Sequence, residues 1–277
     1  MKRYHFKSLR ARLTALLIVP VILTLLSAGM VGFFYARDRM LRHWNKSVSL
    51  QLEQAAYKIE RRLSKPVELM TLFSTSGTSE TNVSLLEAIV RRLATLPGVV
   101  RVNLDWHAAA HDVPRHRGMS GEMGYGRMMH FNRGTFTRIS PPRIDEFTDK
   151  QTVSMTMILL DSTDTAVGSL EIVLEFGYLV SGITANPWWQ RSMACIADRS
   201  TGRIVLASGL MKGRTSLGET GSALEQSIKS ELDRRTAGTV WGKGHPPDRV
   251  AGFHSLLTFP WALVIFADGK TVLSPIR

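Results

Sequence analysis

The sequence predicts an α+β protein with one N-terminal transmembrane helix, a long signalling helix leaving it, and two tandem modules built on antiparallel sheets. Three observations predict this. The uncharged run Leu13 to Ala36 stands behind a short basic tail, an apolar stripe of helical period continues from Arg37 to about Phe73, and period-two strand patterns then recur in two separate sets.

A hydrocarbon core about 30 Å thick takes roughly 20 helical residues to cross, and LTALLIVPVILTLLSAGMVGFFYA supplies them without one charged residue. Lys2, Arg3, Lys7, Arg10 and Arg12 precede it with no acidic neighbour. Basic flanks stay on the cytoplasmic side, so residues 1–12 are expected in the cytoplasm and everything from Arg37 onward in the periplasm of a bacterium, behind a single-pass inner-membrane anchor. A cleaved signal peptide fits less well. Its apolar region is shorter and ends at small residues, whereas this run leaves through Phe33, Phe34 and Tyr35.

The chain carries 35 Lys and Arg against 23 Asp and Glu. All the acids lie beyond the anchor, and the positive surplus there is spread along the sequence rather than gathered into a stripe with aromatics, which argues against nucleic-acid binding. The lone Cys195 sits within the apolar stretch Met193 to Ala197 and reads as core packing, a state that an oxidising compartment tolerates.

Each element follows from its pattern. Met40, Trp44, Val48, Leu52, Ala55, Ile59 and Leu63 recur every three or four residues, so the anchor helix is expected to run on to about Phe73. The stripe packs on its own domain or on a second copy, Pro66 is a kink site, and the polar segment Ser74 to Glu80 ends the helix. A second helix starts near Ser84, where Ser84 and Glu87 have capping-box spacing, and stops at Pro97-Gly98. Val100, Val102, Leu104 and Trp106 alternate with polar residues as a strand. His107 to Pro142 shows no strong periodicity and reads as a functional insertion. Val153 to Leu160 and Val167 to Phe176 are two strands joined across Asp161 to Ala166.

A change of module is expected around Gly182 to Pro187. Met193 to Asp198 and Arg203 to Ala207 form a hairpin across Thr201-Gly202, a helix spans about Ser222 to Arg235, and three strands follow at Gly238 to Trp241, Arg249 to Leu257 and Trp261 to Ala267. Hairpin, helix and three antiparallel strands make a small PAS-like sandwich, and the upstream elements read as a larger version of the same plan. The expected divisions are 1–12 tail, 13–36 transmembrane helix, 37–76 long periplasmic helix, 77–183 membrane-distal module, 184–270 membrane-proximal module, and 271–277 a stub before a second membrane helix.

Three stretches carry a family resemblance: ISPPRIDEFTDKQTVSMTM (Ile139 to Met157), AVGSLEIVLEFGYL (Ala166 to Leu179) and DRVAGFHSLLTFPWALVIFADGKTVLSPI (Asp248 to Ile276). With the anchor and long helix, the chain resembles the double-Cache extracytoplasmic sensor domain of bacterial transmembrane receptors, most of all that of sensor histidine kinases. The resemblance implies a ligand pocket in the distal Cache module. In the amino-acid-binding branch an arginine takes the ligand carboxylate and acids take the ammonium. Here Arg127 stands for that arginine, Asp145 matches an acidic position, Glu171 replaces an aspartate on the closing strand, and Arg143 takes the place of a tyrosine. Met129 and His130 occupy the aromatic positions, so the resemblance implies a more anionic small molecule, such as a carboxylate.

The remaining motifs point away from catalysis and from bound metal. His107 and His111 are four apart with Asp105 and Asp112 alongside and His116 following, a spacing that converges only on a helix, and the stretch reads as strand and loop, so no metal is expected. Gly121, Gly124 and Gly126 do not make a phosphate loop, and no Ser-His-Asp, HExxH or GxSxG arrangement occurs. No cofactor and no enzyme activity are expected. Ala28 and Gly32 offer a small-residue pair for helix approach, and a homodimer through the long helix is expected. Because the sequence ends at Arg277 where a second membrane helix would start, output requires a longer receptor or a separate signalling partner in the membrane. The alternative is an anchored envelope structural or assembly protein that holds a protein partner.

Overall fold

The computed structural model describes residues 9–76, 83–106, 131, 133–244 and 247–272. Its first helix, α1 (Leu9–Ser76), runs through Pro20 and Pro66 without ending. From Leu16 onward it is long and apolar enough to cross a membrane, and Leu16 to Tyr35 present large apolar side chains that no other described residue covers. Past Trp44 the picture inverts. Val48, Leu52, Ala55, Ile59, Leu63, Met70 and Phe73 are buried, so the stripe packs on this chain's own sheets while the charged face meets solvent.

The helix α2 (Val83–Ala94) buries Leu86, Ile89, Val90 and Leu93 beside α1. Its chain reverses at Gly98, whose φ of +81° is a left-handed conformation and whose Cβ would strike the Tyr178 ring. The first sheet comprises β1 (Val99–Trp106), β2 (Arg133–Ile139), β3 (Arg143–Ile144), β4 (Gln151–Leu160) and β5 (Ala166–Glu175), all pairing antiparallel in the order β1-β5-β4-β2, with β3 at the end of β4.

The strand β2 lies within 107–142, the stretch that shows no strong periodicity and reads as an insertion. The strand is at the sheet edge, paired among the described residues with β4, and of its apolar residues Phe136 is exposed and Ile139 only partly buried, so little alternation is written into the sequence. The two faces of this sheet differ in kind. Val153, Met155, Met157 and Leu159 with Leu170, Ile172 and Leu174 form the core against the helices. The other face carries Arg101, Asn103 and Asp105 of β1, Ser169 and Glu171 of β5, and Ser154 and Thr156 of β4, with Asn103, Glu171 and Thr156 in one row across three strands.

The helices α3 (Phe176–Thr184) and α4 (Pro187–Arg191) lead to the second sheet, the latter capped by the Asn186 side chain and opened by Pro187. That sheet has β6 (Met193–Asp198), β7 (Ile204–Ala207), β8 (Ala237–Trp241), β9 (Arg249–Ser255) and β10 (Trp261–Asp268) in the order β7-β6-β10-β9-β8. The helix α5 (Ala223–Arg234) covers one face and α1 the other; a last turn, α6 (Gly269–Val272), follows β10. Because both faces are covered, β10 reads WALVIFAD and is buried without alternation from Trp261 to Phe266. Leu263 and Ile265 join the core shared with α1 and the first sheet, whereas Cys195, Ala262, Val264 and Phe266 pack with Leu224, Ile228 and Leu232 of α5. The hairpin, helix and three-strand reading of this module is the arrangement found.

Trp261 and Trp189 are buried in the shared core. Trp241 is an exposed edge residue whose ring lies 6.4 Å from that of Trp44 on α1.

Candidate functional site

The polar face of the first sheet ends in a small cavity. Its position follows from strand alternation: on β1 the apolar Val102 and Leu104 turn to the core, which sends Arg101 and Asn103 to the opposite face. The β3–β4 connection then folds over that face, closed by the Asp145 amide on the Lys150 carbonyl at 2.9 Å and by Asp149 in the left-handed region at φ 52°. The cavity holds about 230 Å³ and is walled by Arg101, Arg143, Ile144, Asp145, Glu146 and Phe147.

Charges of both signs meet here. Asp145 is 8% exposed; its Oδ2 accepts from Thr148 Oγ1 at 2.9 Å and its Oδ1 lies 3.5 Å from Arg101. The Arg101 guanidinium carbon stands 4.8 Å from the Phe147 ring centroid, and Arg101 Nε is buried without a hydrogen-bond partner among the described residues. Glu171 is held at 3.0 Å by Asn103 Nδ2 on one oxygen and faces Arg143 at 3.7 Å on the other. Both arginine–carboxylate separations are longer than the 2.7–2.9 Å of a close charge-assisted hydrogen bond. Each guanidinium therefore keeps donors that a carboxylate entering the cavity could take.

Of the four residues expected at the site, Arg143 and Asp145 line this cavity, Glu171 stands behind Arg143 without lining it, and Arg127 lies outside the described residues. Sequence reading passed over Arg101 and Asn103. The signal was there in β1, where two polar side chains on the solvent side of a half-buried strand sit in register with Val173 and Glu171.

A second charged centre occupies the other module. Arg214 pairs with the buried Glu225, which also accepts from the Gly218 amide at 2.8 Å and from Thr220 Oγ1 at 3.3 Å. Burial pushes the Glu225 carboxyl up, and the Arg214 and Gly218 hydrogen bonds outweigh it, holding the group below its ordinary value. Met211, Leu217, Leu224, Ile228 and Phe253 fill the adjoining face, so this module presents a packed interior. Burial also pushes the Cys195 thiol up to about 12. Among the described residues no group of three or more His, Cys, Asp or Glu is placed to hold a metal ion, and His107, His111 and His116 lie outside them.

No protein-family model matches the sequence, and no curated protein matches it. Solved structures do. The periplasmic sensory domain of the Campylobacter jejuni chemoreceptor Tlp1 superposes with a TM-score of 0.55 at 13% identity, covering 86% of this chain and 99% of that one. The extracellular domain named for the histidine kinase mmHK1S-Z2 gives 0.54 at 14% identity over 82% and 98%. The ligand-binding domain of Pseudomonas fluorescens chemoreceptor CtaA, solved with L-isoleucine, gives 0.52 at 14% identity over 87% and 99%. At such identities the likeness defines the fold. The chain has the Cache-like fold of the extracytoplasmic sensory domains of chemoreceptors and histidine kinases, as its sequence resemblance implied.

Proposed function

We propose that this chain is a membrane-anchored sensor for signal transduction that binds a small carboxylate-bearing molecule on the polar face of its distal module. The observation that carries this reading is the meeting of Arg101, Arg143 and Asp145 around one cavity, with Glu171 facing Arg143 behind it, on the sheet face opposite α1 and α2. The two guanidiniums take the carboxylate. Asp145 and Glu171 give an ammonium its counterpart, so the balance of charge favours an amino-acid-like ligand over a plainly anionic one. The L-isoleucine bound by CtaA supports the same direction.

In this reading Leu13–Ala36 spans the inner membrane once, residues 1–12 lie in the cytoplasm, and both modules stand in the periplasm, divided at about residue 184. Two copies pair along the exposed face of α1, where Leu50 and Tyr57 stand uncovered two helical turns apart. A ligand acts by favouring one of two arrangements of α1 against the sheets, to the extent of its differential affinity for them. Output passes to the rest of a receptor or to a separate membrane partner.

The test is thermal unfolding of the full chain in a maltoside micelle against L-amino acids, monocarboxylates and dicarboxylates. A ligand that binds only the folded state raises the melting temperature by mass action, and the shift vanishes in Arg143→Ala. Folded protein that shifts with none of them overturns the sensor reading in favour of a protein partner.

A further inference from the structure

A second cavity, of about 480 Å³, opens at the junction of the two modules, where α1 passes the α2–β1 turn and α3. Its wall carries Lys58, Arg61, Arg62 and Lys65 beside Pro97 and Tyr178, and no carboxylate. Arg62 forms the inner wall. It is tied to α3 by hydrogen bonds to the Tyr178 and Leu179 carbonyls and to Ser181 Oγ, and its guanidinium carbon lies 4.9 Å from the Tyr178 ring centroid. The backbone of Gly182 leaves space beside it, since a Cβ there would stand 3.5 Å from Arg62 and 3.6 Å from Lys58. Lys65 has a loose, exposed contact with Glu68 at 3.5 Å, while Lys58 and Arg61 make no ion pair among the described residues. Four cations thus converge on one concave wall with at most one weak local acid.

We propose that this junction is a second ligand site, taking a small multiply charged oxyanion such as a phosphate or a polycarboxylate. The charge excludes amino acids: their ammonium would meet four like charges, and their single carboxylate would answer only one. Lipid phosphate is excluded by reach. Lys58 lies beyond Ala36 by some 22 residues of continuous helix, which at about 1.5 Å per residue sets the cavity roughly 33 Å from the end of the apolar run. An anion bridging Lys58 and Arg61 to the anchored Arg62 would fasten α1 to α3, the helix that carries the chain from one module to the next. This makes the junction a site for a co-ligand that stiffens the signalling helix, separate from the distal cavity.

Titration calorimetry with pyrophosphate on the full chain, in a maltoside micelle and phosphate-free low-salt buffer, tests it. Saturable binding is expected, weakened about tenfold or more by Lys58→Ala with Arg61→Ala, weakened further by the reversal Arg61→Glu, and unchanged in Arg143→Ala. Both replaced side chains are exposed, so circular dichroism should show the native fold. Absence of binding at millimolar pyrophosphate overturns the proposal. So does binding that survives in both junction variants, or that is lost in Arg143→Ala instead. Failure of the amino-acid screen leaves this result untouched, because the probes and variants differ.

Discussion

Arg214 and Glu225 form an ion pair inside the second module, with their side chains 16% and 3% exposed. The pair ties the segment after β7 to the first turn of α5, and the Gly218 amide and Thr220 hydroxyl complete the shell of the carboxylate. Removing one member of a buried pair strands the other charge. Glu225→Ala should therefore destabilise the protein by about 3 kcal/mol in urea unfolding, and adding Arg214→Met should restore part of that loss. Equal stability of the single and double variants would show that the stranded Arg214 charge is not the source of the loss.

The same carboxyl sets an acid limit. Glu225 is held below its ordinary 4.5 in the fold, so folding favours its ionised form. Its contribution is fully present above that unfolded value and is lost as pH falls through the lower folded one. Urea midpoints of the native chain and Glu225→Gln should run parallel from neutral pH to about 4.5 and converge below it. Convergence near neutrality would contradict the depressed value.

Cys195 supplies a probe of the second sheet. It is fully buried on β6 between α5 and the strand pair, and its thiol is pushed up to about 12. Only the thiolate reacts with maleimide or iodoacetamide. The folded chain should stay unlabelled at pH 8 for hours and take one label on denaturation; rapid native labelling would mean that the sheet opens.

Much of this fold was legible because burial writes itself into sequence period. The strands β4 and β5 alternate, the stripe on α1 repeats every three or four residues, and β10 is continuously apolar because helices cover both sides. Where a strand lies at a sheet edge and buries little of its apolar surface, the writing fades. The edge strand β2 has Phe136 and Arg133 in solvent and went unread. The site was half legible for a similar reason. Asp145 and Glu171 stand in stretches with a family likeness, but Arg101 matters through partners 44 and 46 residues away in sequence, at Asp145 and Phe147, which no local pattern records.

Gly252 on β9 lets α1 lie close on the second sheet. A Cβ there would stand 2.6 Å from Val48 Cγ1 and 3.3 Å from Leu52 Cδ1. Val48 is buried and β-branched, so it has little freedom to turn away. Gly252→Ala should push α1 off the sheet and destabilise the protein by about 1 to 3 kcal/mol. A companion Val48→Ala should recover stability relative to Gly252→Ala alone; failure to recover would place the strain elsewhere.

Arg62 holds the other end of that helix to α3. Its Nη1 donates to two carbonyls while the guanidinium plane lies against the Tyr178 ring, a combination of donor reach and flat stacking that favours arginine over lysine. Arg62→Ala should lower stability by about 1 to 3 kcal/mol. Arg62→Lys should recover less than half of it. Full recovery by lysine would mean that charge alone is used there.

Arg101 gives the sharpest test of the cavity on the first sheet, because it touches Asp145 and Phe147 at once. If its unpartnered Nε and free donors receive a ligand carboxylate, Arg101→Ala should weaken the binding found in the amino-acid screen at least about tenfold. Arg101→Lys should restore little, since a single ammonium cannot form the fork. Phe147→Ala separates positioning from contact: it removes the ring that sets the guanidinium plane but leaves every charge, and should weaken binding by a smaller factor without changing ligand preference. A Phe147→Ala variant as weak as Arg101→Ala would mean that the ring itself packs on the ligand, and an Arg101→Ala variant of native affinity would move the carboxylate site to Arg143 alone.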